Sequence, residues 1–255
     1  MAKVFPKKEK RPVFCSSLSP PGLAWGYSRR GDENMSLCYG DVSHSLAHRI
    51  DFLKRLGIEY RDIVCAKQVH GSRLASVGLE DKGRGALSFE TAFDATDGFV
   101  TDVPEVPLAV FSADCLVVFL YDPALPAVGL IHAGWRGTRE HIIEKALELM
   151  KDTFTTKISN VHAAFGPAIR ACCYEVGKEF LEYFPAHVRQ RQGCNYLDLA
   201  SANRQQLLDK GVSARNIFDR GVCTACENKK FYSHRKEAKG CGRMMSVIML
   251  RAGGA

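Results

Sequence analysis

The sequence predicts an α/β fold, and the two kinds of segment that predict it alternate along the chain. Three apolar, β-branched runs near the centre, 106–112, 116–121 and 127–131, have the composition of strands buried on both faces. Segments with the apolar period of amphipathic helices lie on both sides of these runs. No linker or repeat divides the 255 residues. We therefore expect a basic flexible tail over 1–12 and one domain over 13–255.

The other elements follow from local signals. In chain order we expect a helix over 44–56, a strand over 62–69, a helix from Thr138, a strand over 161–165, a helix over 174–184, a helix from Asp198 to Gly211 and a strand over 244–250. In the first helix, Leu46, Ile50 and Leu53 recur with the helical period. Thr138 and Asp198 belong to the residue types that cap helix N-termini.

The distribution of charge argues against a nucleic-acid partner. Residues 1–12 and 227–243 each carry a net charge of +4, so the formal charge of +7 leaves the rest of the chain at −1. No stripe of lysine and arginine alternates with aromatic residues, and no nucleic-acid-binding motif is present. A nucleic-acid binder is therefore the least favoured function class.

The pattern of apolar residues predicts neither an export signal nor a membrane span. No apolar stretch follows the basic N-terminus, and the most apolar region, 106–131, is interrupted by Asp114 and Asp122. We expect a cytoplasmic monomer with no membrane partner. In the reducing cytosol, most of the ten cysteines would be free thiols.

Three segments place a reactive side chain at the end of a predicted strand, which is where α/β sheets form their clefts. They are 67–71 with His70, 112–115 with Asp114 and Cys115, and 131–137 with His132. Each histidine alone is typical of an ordinary hydrogen-bonded residue. The spacing of His70, Cys115 and His132 matches no zinc-finger template, so it permits a metal site only if the fold brings the three together.

These segments resemble the YfiH-type family, described both as multicopper polyphenol oxidase or laccase-domain proteins and as purine nucleoside phosphorylases. The matching runs are QVHG at 68–71, ADC at 113–115 and HAGWRG at 132–137. Further matches, in the family's order, lie at 166–169, 174–177, 197–199, 223–224 and 242–244. The resemblance covers roughly residues 25–250. It implies a single catalytic domain built as a layered sandwich of sheets flanked by helices.

The resemblance also implies a mononuclear zinc ion held by His70, Cys115 and His132. Three protein ligands leave a fourth position open, as in catalytic zinc sites. Zinc lowers the pKa of a bound water to about 7, which makes hydroxide available at neutral pH. Asp114 would either carry a proton or cap the end of its strand.

The activity that the resemblance implies is phosphorolysis of adenosine, inosine, guanosine or S-methyl-5′-thioadenosine to free base and ribose 1-phosphate, with adenosine deamination as an additional activity. Phosphate needs an anion site beside the ribose. Arg136, together with the amides of the helix expected from Thr138, would supply one. Arg49, Gln68 and Arg235 match other substrate positions of the family.

Two other activities remain open at this point. A polyphenol oxidase would bind copper through the same ligands, although eight scattered histidines are few for a multicopper enzyme. A cysteine hydrolase, acting for example on peptidoglycan precursors, would use Cys115 as a nucleophile activated by His132 or His70. Separately, a structural zinc site is one possible interpretation of four residues near the C-terminus: Cys223, Cys226, His234 and Cys241.

Overall fold

The computed structural model describes residues 22–238 and 240–253, which form three β-sheets and the helices packed against them. The strands are β1 (Leu23–Tyr27), β2 (Leu74–Ser76), β3 (Gly98–Thr101), β4 (Leu108–Ser112), β5 (Leu116–Asp122), β6 (Ala127–Ala133), β7 (His162–Phe165), β8 (Glu175–Val176), β9 (Val188–Arg191), β10 (Cys194–Leu197), β11 (Ile217–Asp219) and β12 (Met244–Leu250). The helices are α1 (Val42–Arg55), α2 (Trp135–Arg139), α3 (Ile142–Phe154), α4 (Phe180–Tyr183), α5 (Leu199–Asp209) and α6 (His234–Glu237). The basic tail expected over 1–12 lies outside the described residues.

The largest sheet, which we call the central sheet, has the strand order β11-β7-β5-β6-β3-β2. Its four inner strands, β7, β5, β6 and β3, are antiparallel to one another, whereas the edge strands β11 and β2 run parallel to β7 and β3. A second sheet of order β1-β12-β4, the cover sheet, is antiparallel throughout. A small third sheet joins β8, β10 and β9.

The layers follow from which faces of these elements are apolar. One face of the central sheet packs against α3 and α5, with Ile131 and Leu147 in the shared core. Its other face packs against the cover sheet, where Phe119 and Leu130 contact residues such as Ile248. The opposite face of the cover sheet is covered by α1. Both sheets are buried on both faces, which explains why their strands read as continuous apolar runs.

Most elements expected from the sequence are confirmed. The three central strands, the first helix and the final strand are present within a few residues of the expected bounds. Asp41 caps α1 by accepting a hydrogen bond from the amide of His44 at 3.0 Å. Asp198 caps α5 through the amide of Ser201 at 3.0 Å. Local capping chemistry therefore sets the start of α1 and α5.

The strand expected over 62–69 is wrong. Tyr60–Asp62 is a turn of 3-10 helix, and the rest makes only isolated bridges, from Val64 to Leu108 and from Ala66 to Phe93. Because successive residues pair with different segments, no ladder extends along this stretch.

The helices expected from Thr138 and over 174–184 need correction. Helix α2 already begins after Gly134, and Thr138 lies inside it, buried and hydrogen-bonded to Asn203. His141 adopts a left-handed conformation with φ of 60°, which separates α2 from α3. The segment 174–184 contains the strand β8 and only a short helix, α4, because β8 pairs with β10.

Within the described residues, the cysteines form no disulfide, as expected for free thiols. None of the helices described here is both long enough and apolar enough to cross a lipid bilayer.

Candidate metal centre

Two adjacent strands of the central sheet bring the three candidate ligands together. His132 lies in β6 opposite Val117 of β5, and Cys115 directly precedes β5. His70 lies in the loop before β2, at the same edge of the sheet. One ligand atom from each of His70, Cys115 and His132 lies within 4.8 Å of the others. The two imidazole rings meet edge to face, with centroids 4.9 Å apart.

A buried carboxylate, Asp97, holds both histidines in place. It precedes β3, is fully buried, and accepts hydrogen bonds from the amides of Val69 at 3.2 Å, His70 at 2.9 Å and Gly71 at 2.8 Å. Nδ1 of His132 also donates to it at 2.9 Å. Since a carboxylate only accepts, Nδ1 carries the proton and Nε2 is left available to a metal.

This arrangement strains the backbone locally. His70 has φ of 62°, a left-handed conformation that is uncommon for residues with a Cβ atom. The three successive amides bound to Asp97 form an anion-binding concavity that offsets this cost. A strained residue held by such a contact is typical of functional sites.

The glycines of the HAGWRG run are needed for close approach. A Cβ atom on Gly134 would lie 3.3 Å from Cδ2 of His70 and 3.4 Å from Sγ of Cys115. A Cβ atom on Gly137 would overlap the carbonyl oxygen of Gly71. Glycine is therefore required at both positions so that this segment can pack against the loop that carries His70.

The pKa values show that Cys115 and His132 favour their charged forms beside each other. Burial alone would raise the pKa of Cys115, but the charge of His132 and hydrogen bonds from His132 and His70 lower it to about 6. Burial alone would lower the pKa of His132, but Cys115 and Asp97 raise it to about 9. Each group therefore stabilises the charged form of the other, the thiolate of Cys115 and the imidazolium of His132.

The donor set fits zinc. One thiolate and two imidazoles are ligands that zinc accepts in tetrahedral geometry, and a fourth position stays open to the cavity. The hydrogen bond from His132 to Asp97 is the outer contact that metal-bound histidines ordinarily make. Soft thiolate and imidazole ligands are also compatible with copper, so the donor types alone do not separate the two metals.

The centre opens into a cavity of about 760 Å³. Four arginines line it: Arg49, Arg136, Arg235 and Arg243. Among the described ion pairs, none joins any of these arginines to a carboxylate. The cavity therefore holds positive charge that protein carboxylates do not neutralise.

Two of the predicted substrate residues, Gln68 and Arg49, form hydrogen bonds with backbone groups. Gln68 accepts from the amide of Phe111 at 2.7 Å and donates to its carbonyl at 2.9 Å. Arg49, on α1, is almost fully buried and donates to the carbonyl oxygens of Met35 and Ala86, each at 2.8 Å. Both residues line the cavity while fixing the loops around it.

The other two predicted substrate arginines, Arg136 and Arg235, also line the cavity. Arg136 lies on α2, directly after Trp135, with its guanidinium 4.6 Å from the Trp135 ring. The guanidinium of Arg235 donates twice to the carbonyl of Glu175, each time at 2.9 Å. The sequence predicted a helix N-terminus at Thr138, just after Arg136. Because the short helix α2 begins at Trp135 instead, Arg136 lies within the helix and does not precede its first amides.

Both carboxylate oxygens of Asp114 accept hydrogen bonds from other segments of the protein. Oδ1 accepts from the hydroxyl of Thr224 at 2.5 Å, and Oδ2 accepts from Ser233 at 3.1 Å and from the amide of Arg235 at 2.7 Å. Its backbone has φ of 93°. These contacts make Asp114 the anchor of helix α6 at the cavity wall, so the geometry favours a positioning role over a proton carrier.

A family model described as "Multi-copper polyphenol oxidoreductase laccase" matches residues 26–251. The chain belongs to this family. The match spans the three ligand segments and the arginine-lined wall, in agreement with the resemblance noted from the sequence.

Relatives of this laccase-family chain carry other names. A protein named purine nucleoside phosphorylase YlmD from Geobacillus stearothermophilus is 36% identical, over 84% of this chain and 82% of its own. A protein named adenosine deaminase RL5, from an unknown prokaryotic organism, is 32% identical over 82% of each chain. The crystal structure of the same YlmD superposes with a TM-score of 0.89 at 34% identity, covering 96% of this chain and 98% of that one.

Asp97 is the residue of the site that sequence reasoning missed. It directly precedes β3 and belongs to no motif that the sequence analysis identified. The available signal was the pair Thr96–Asp97 directly before an apolar strand, where a buried polar residue needs a partner. Its partners come from two other segments, so the pattern along the chain did not reveal it.

We expect Asp97→Asn to weaken zinc binding by about 10–100-fold, because the amide cannot accept from all four donors and no longer fixes His132. Competition with a chromophoric chelator measures the affinity. Asp94→Asn is the matched control, since exposed Asp94 pairs only with Lys67 within the described ion pairs. Zinc affinity unchanged in a folded Asp97→Asn variant would contradict the role given to Asp97.

In the metal-free protein, we expect iodoacetamide to alkylate Cys115 at a rate that rises as pH increases through about 6, because the thiolate is the nucleophile. An ordinary thiol would show this rise near pH 9.0. Peptide mass spectrometry locates the modification, and Cys65, whose pKa burial raises to about 11, serves as the unreactive control. A rise near pH 9 at Cys115 would show that the charged pair does not form.

Proposed function

We propose that this chain is a zinc-dependent purine nucleoside phosphorylase. It would cleave adenosine, inosine, guanosine or S-methyl-5′-thioadenosine with phosphate, giving the free base and the sugar 1-phosphate. The observation that carries the proposal is the placement of four arginines, none joined to a carboxylate in the described ion pairs, beside a His₂Cys donor group in one cavity. Such a cavity suits an anion that reacts next to a Lewis acid. The names of the relatives support the same activity.

The cavity has the size and walls that a nucleoside requires. Its volume of about 760 Å³ lies within the range of small-molecule sites. Five aromatic residues contribute to its lining: Tyr39, Phe89, Phe111, Trp135 and Tyr174. Aromatic faces bury the flat surface of a purine, and polar groups at the rim orient it.

His70, Cys115 and His132 would hold the zinc ion. When bound, zinc supplies Lewis acidity to a substrate or solvent oxygen. Asp97 keeps Nδ1 of His132 protonated, so that Nε2 faces the donor group. His132 would ligate as the neutral imidazole, with its remaining proton on Nδ1.

The arginines would bind and orient phosphate. In phosphorolysis, a phosphate oxygen forms a bond to C1′ of the ribose while the bond from C1′ to the base nitrogen breaks, and the base leaves with that electron pair and takes up a proton. Arg136 and Arg235 offer charge-assisted hydrogen bonds that hold the attacking oxygen near the sugar. Gln68 and Arg49 hold other parts of the cavity wall in place through their backbone contacts.

Adenosine deamination is a second reaction that the same cavity would support. Water would add to C6 of the base, and ammonia would leave. The proposal draws on the relative named adenosine deaminase RL5. It requires no phosphate, so omission of phosphate separates the two reactions.

A cysteine hydrolase is the alternative that a specific observation favours. Cys115, His132 and Asp97 are connected in series, with the thiolate favoured at neutral pH. Nucleophile, base and orienting carboxylate are the parts of such a catalyst. His70 completes a metal donor set that a hydrolase does not need, and this favours the zinc enzyme.

The copper oxidase implied by the family name has less support. The two groups of possible metal ligands among the described residues together contain two histidines, His70 and His132. A multicopper centre requires many more imidazole ligands. Elemental analysis of the purified protein before any metal is added tests the choice of zinc directly.

For Cys115→Ala, we expect phosphate-dependent release of base to fall by at least about 100-fold, since loss of even an outer partner of a metal ligand costs about 10–100-fold. Each of the four nucleosides is incubated with and without phosphate, and the base is measured by chromatography. Cys194→Ala is the matched control, because Cys194 belongs to neither donor group.

No phosphate-dependent base release by zinc-loaded wild-type protein would refute the proposed phosphorylase. A chelator arm tests the hydrolase alternative in the same experiment. If the chelator abolishes activity while Cys115 stays open to alkylation, a hydrolase that uses only the thiol is excluded.

We expect Arg136→Gln to raise the KM for phosphate by about 10-fold or more, because one charge-assisted hydrogen bond contributes about 1.5–3 kcal/mol. Steady-state kinetics with phosphate as the varied substrate measures this. Arg139→Gln on the same helix is the control, since Arg139 stacks on Tyr183 at 3.7 Å and does not line the cavity. Equal KM values for the two variants would contradict phosphate binding by Arg136.

A further inference from the structure

A second group of sulfur ligands, sharing no residue with the first, lies on two neighbouring loops. Cys172 and Cys173 follow β7, and Cys223 and Cys226 follow β11. The four sulfur atoms all lie within 4.8 Å of one another. Sγ of Cys226 is 3.5 Å from Sγ of Cys172 and 3.4 Å from Sγ of Cys173.

This group corrects the set expected from the sequence, which joined Cys223 and Cys226 to His234 and Cys241. The last two residues do not belong to the group. The physical reason is topological, because β7 and β11 are adjacent parallel strands and the loops leaving them start at the same edge. A bridge between Ala168 and Cys223 holds these loops side by side.

The spacing of the sulfur atoms is that of ligands around one tetrahedral ion. At a zinc–sulfur distance of about 2.3 Å, four tetrahedral thiolates lie about 3.8 Å from one another. The two measured separations, 3.4 and 3.5 Å, are close to this value. An iron–sulfur cluster spreads its thiolates around several iron atoms and needs a wider opening.

The cysteines of this group have shifted pKa values, and the directions of the shifts differ. Burial and a hydrogen bond to Cys226 raise the pKa of Cys173 to about 11. At Cys223, by contrast, backbone amides of Cys226 and Arg170 lower the pKa against the effect of burial. The surroundings therefore lower the pKa of one cysteine of the group, Cys223, and raise that of Cys173. A bound cation would favour the thiolate form of each.

The surrounding contacts hold the ligand loops together independently of any ion. Arg170 forms a bidentate salt bridge with Asp219, at 2.7 and 2.8 Å, and donates to the carbonyl of Val222 at 3.2 Å. The guanidinium of Arg191 donates to the carbonyl of Cys172 at 3.2 Å, which places positive charge beside the thiols. A group held this way loses little further entropy on binding an ion.

We propose that Cys172, Cys173, Cys223 and Cys226 bind a structural zinc ion. Four thiolates close its coordination shell, as in structural zinc sites, and soft sulfur ligands select zinc over magnesium or calcium. The ion cross-links the loops after β7 and β11. This assignment does not depend on the proposed phosphorylase activity.

The cross-linked loops also build the wall of the cavity. Thr224, between Cys223 and Cys226, donates to Asp114 at 2.5 Å, and the amide of Ile169 donates to the carbonyl of Asp114 at 2.9 Å. Tyr174, directly after Cys173, lines the cavity. The structural ion therefore fixes the residues that position Asp114 and, through it, helix α6.

Metal stoichiometry tests the site. Protein purified with zinc is analysed by inductively coupled plasma mass spectrometry. We expect two zinc ions per chain in wild type, one in Cys115→Ala, one in Cys226→Ser and none in the double variant. Cys194→Ser is the matched control and should retain two. Zinc content unchanged between Cys115→Ala and the double variant would overturn the proposal.

Alkylation of the wild-type chain gives a readout that does not depend on any variant folding. With zinc present, peptides containing Cys172, Cys173, Cys223 and Cys226 should stay unmodified, and a chelator should expose all four. Equal alkylation with and without zinc overturns the proposal. A disulfide between the two loops in protein purified without reductant also overturns it, since oxidised sulfur does not ligate zinc as thiolate.

Discussion

Asp97 carries a negative charge that is buried where β3 begins, and the metal centre is organised around the groups that satisfy this charge. Three successive amides of the loop at 69–71 and one imidazole nitrogen of β6 point at a single carboxylate. A buried charge without such partners would destabilise the fold strongly. The same contacts hold His70 in its left-handed conformation and fix the protonated nitrogen of His132, so stability and ligand geometry come from one residue.

The cavity beside this centre shows how positive charge is kept available. Arg49 is almost fully buried, yet its hydrogen bonds go to backbone carbonyls, which satisfy its donors without cancelling its charge. Arg235 follows the same pattern through the carbonyl of Glu175. An arginine that is hydrogen-bonded only to carbonyl oxygens keeps its charge and still attracts an anion, whereas a carboxylate partner would have neutralised that charge.

The two sulfur-containing groups differ in the way their ligands are supplied. His70, Cys115 and His132 line a cavity, and as three protein ligands they would leave a fourth coordination position of a bound zinc ion for water or substrate, as in catalytic sites. The four cysteines of the second group would complete a coordination shell among themselves, which suits cross-linking. The second group stands behind the wall formed by Asp114 and Thr224, so the inferred structural ion supports the reactive centre from outside it.

Local sequence determined the features that depend on neighbours along the chain. The apolar runs of β5 and β6, and the caps Asp41 and Asp198, follow from burial and from side-chain hydrogen bonds within a few residues. The family motifs also pointed to the three candidate ligands, His70, Cys115 and His132, whose ligand atoms the fold brings together. Where an element depends on a segment far away in the chain, local sequence did not predict it correctly. The segment 174–184 has a helical pattern, but its first part forms β8, which pairs with β10.

Only the tertiary structure could join Asp97 to two histidines, or the cysteine pair of one loop to the CxxC of another. These contacts bridge segments that are far apart in the chain, and nothing in local spacing encodes the meeting of the loops after β7 and β11. What the sequence determined by itself was the central apolar strands, the Asp198 cap and the types of candidate ligand residue. What the fold decided was which of them meet, because strand order in the sheets sets distances that the linear chain does not contain.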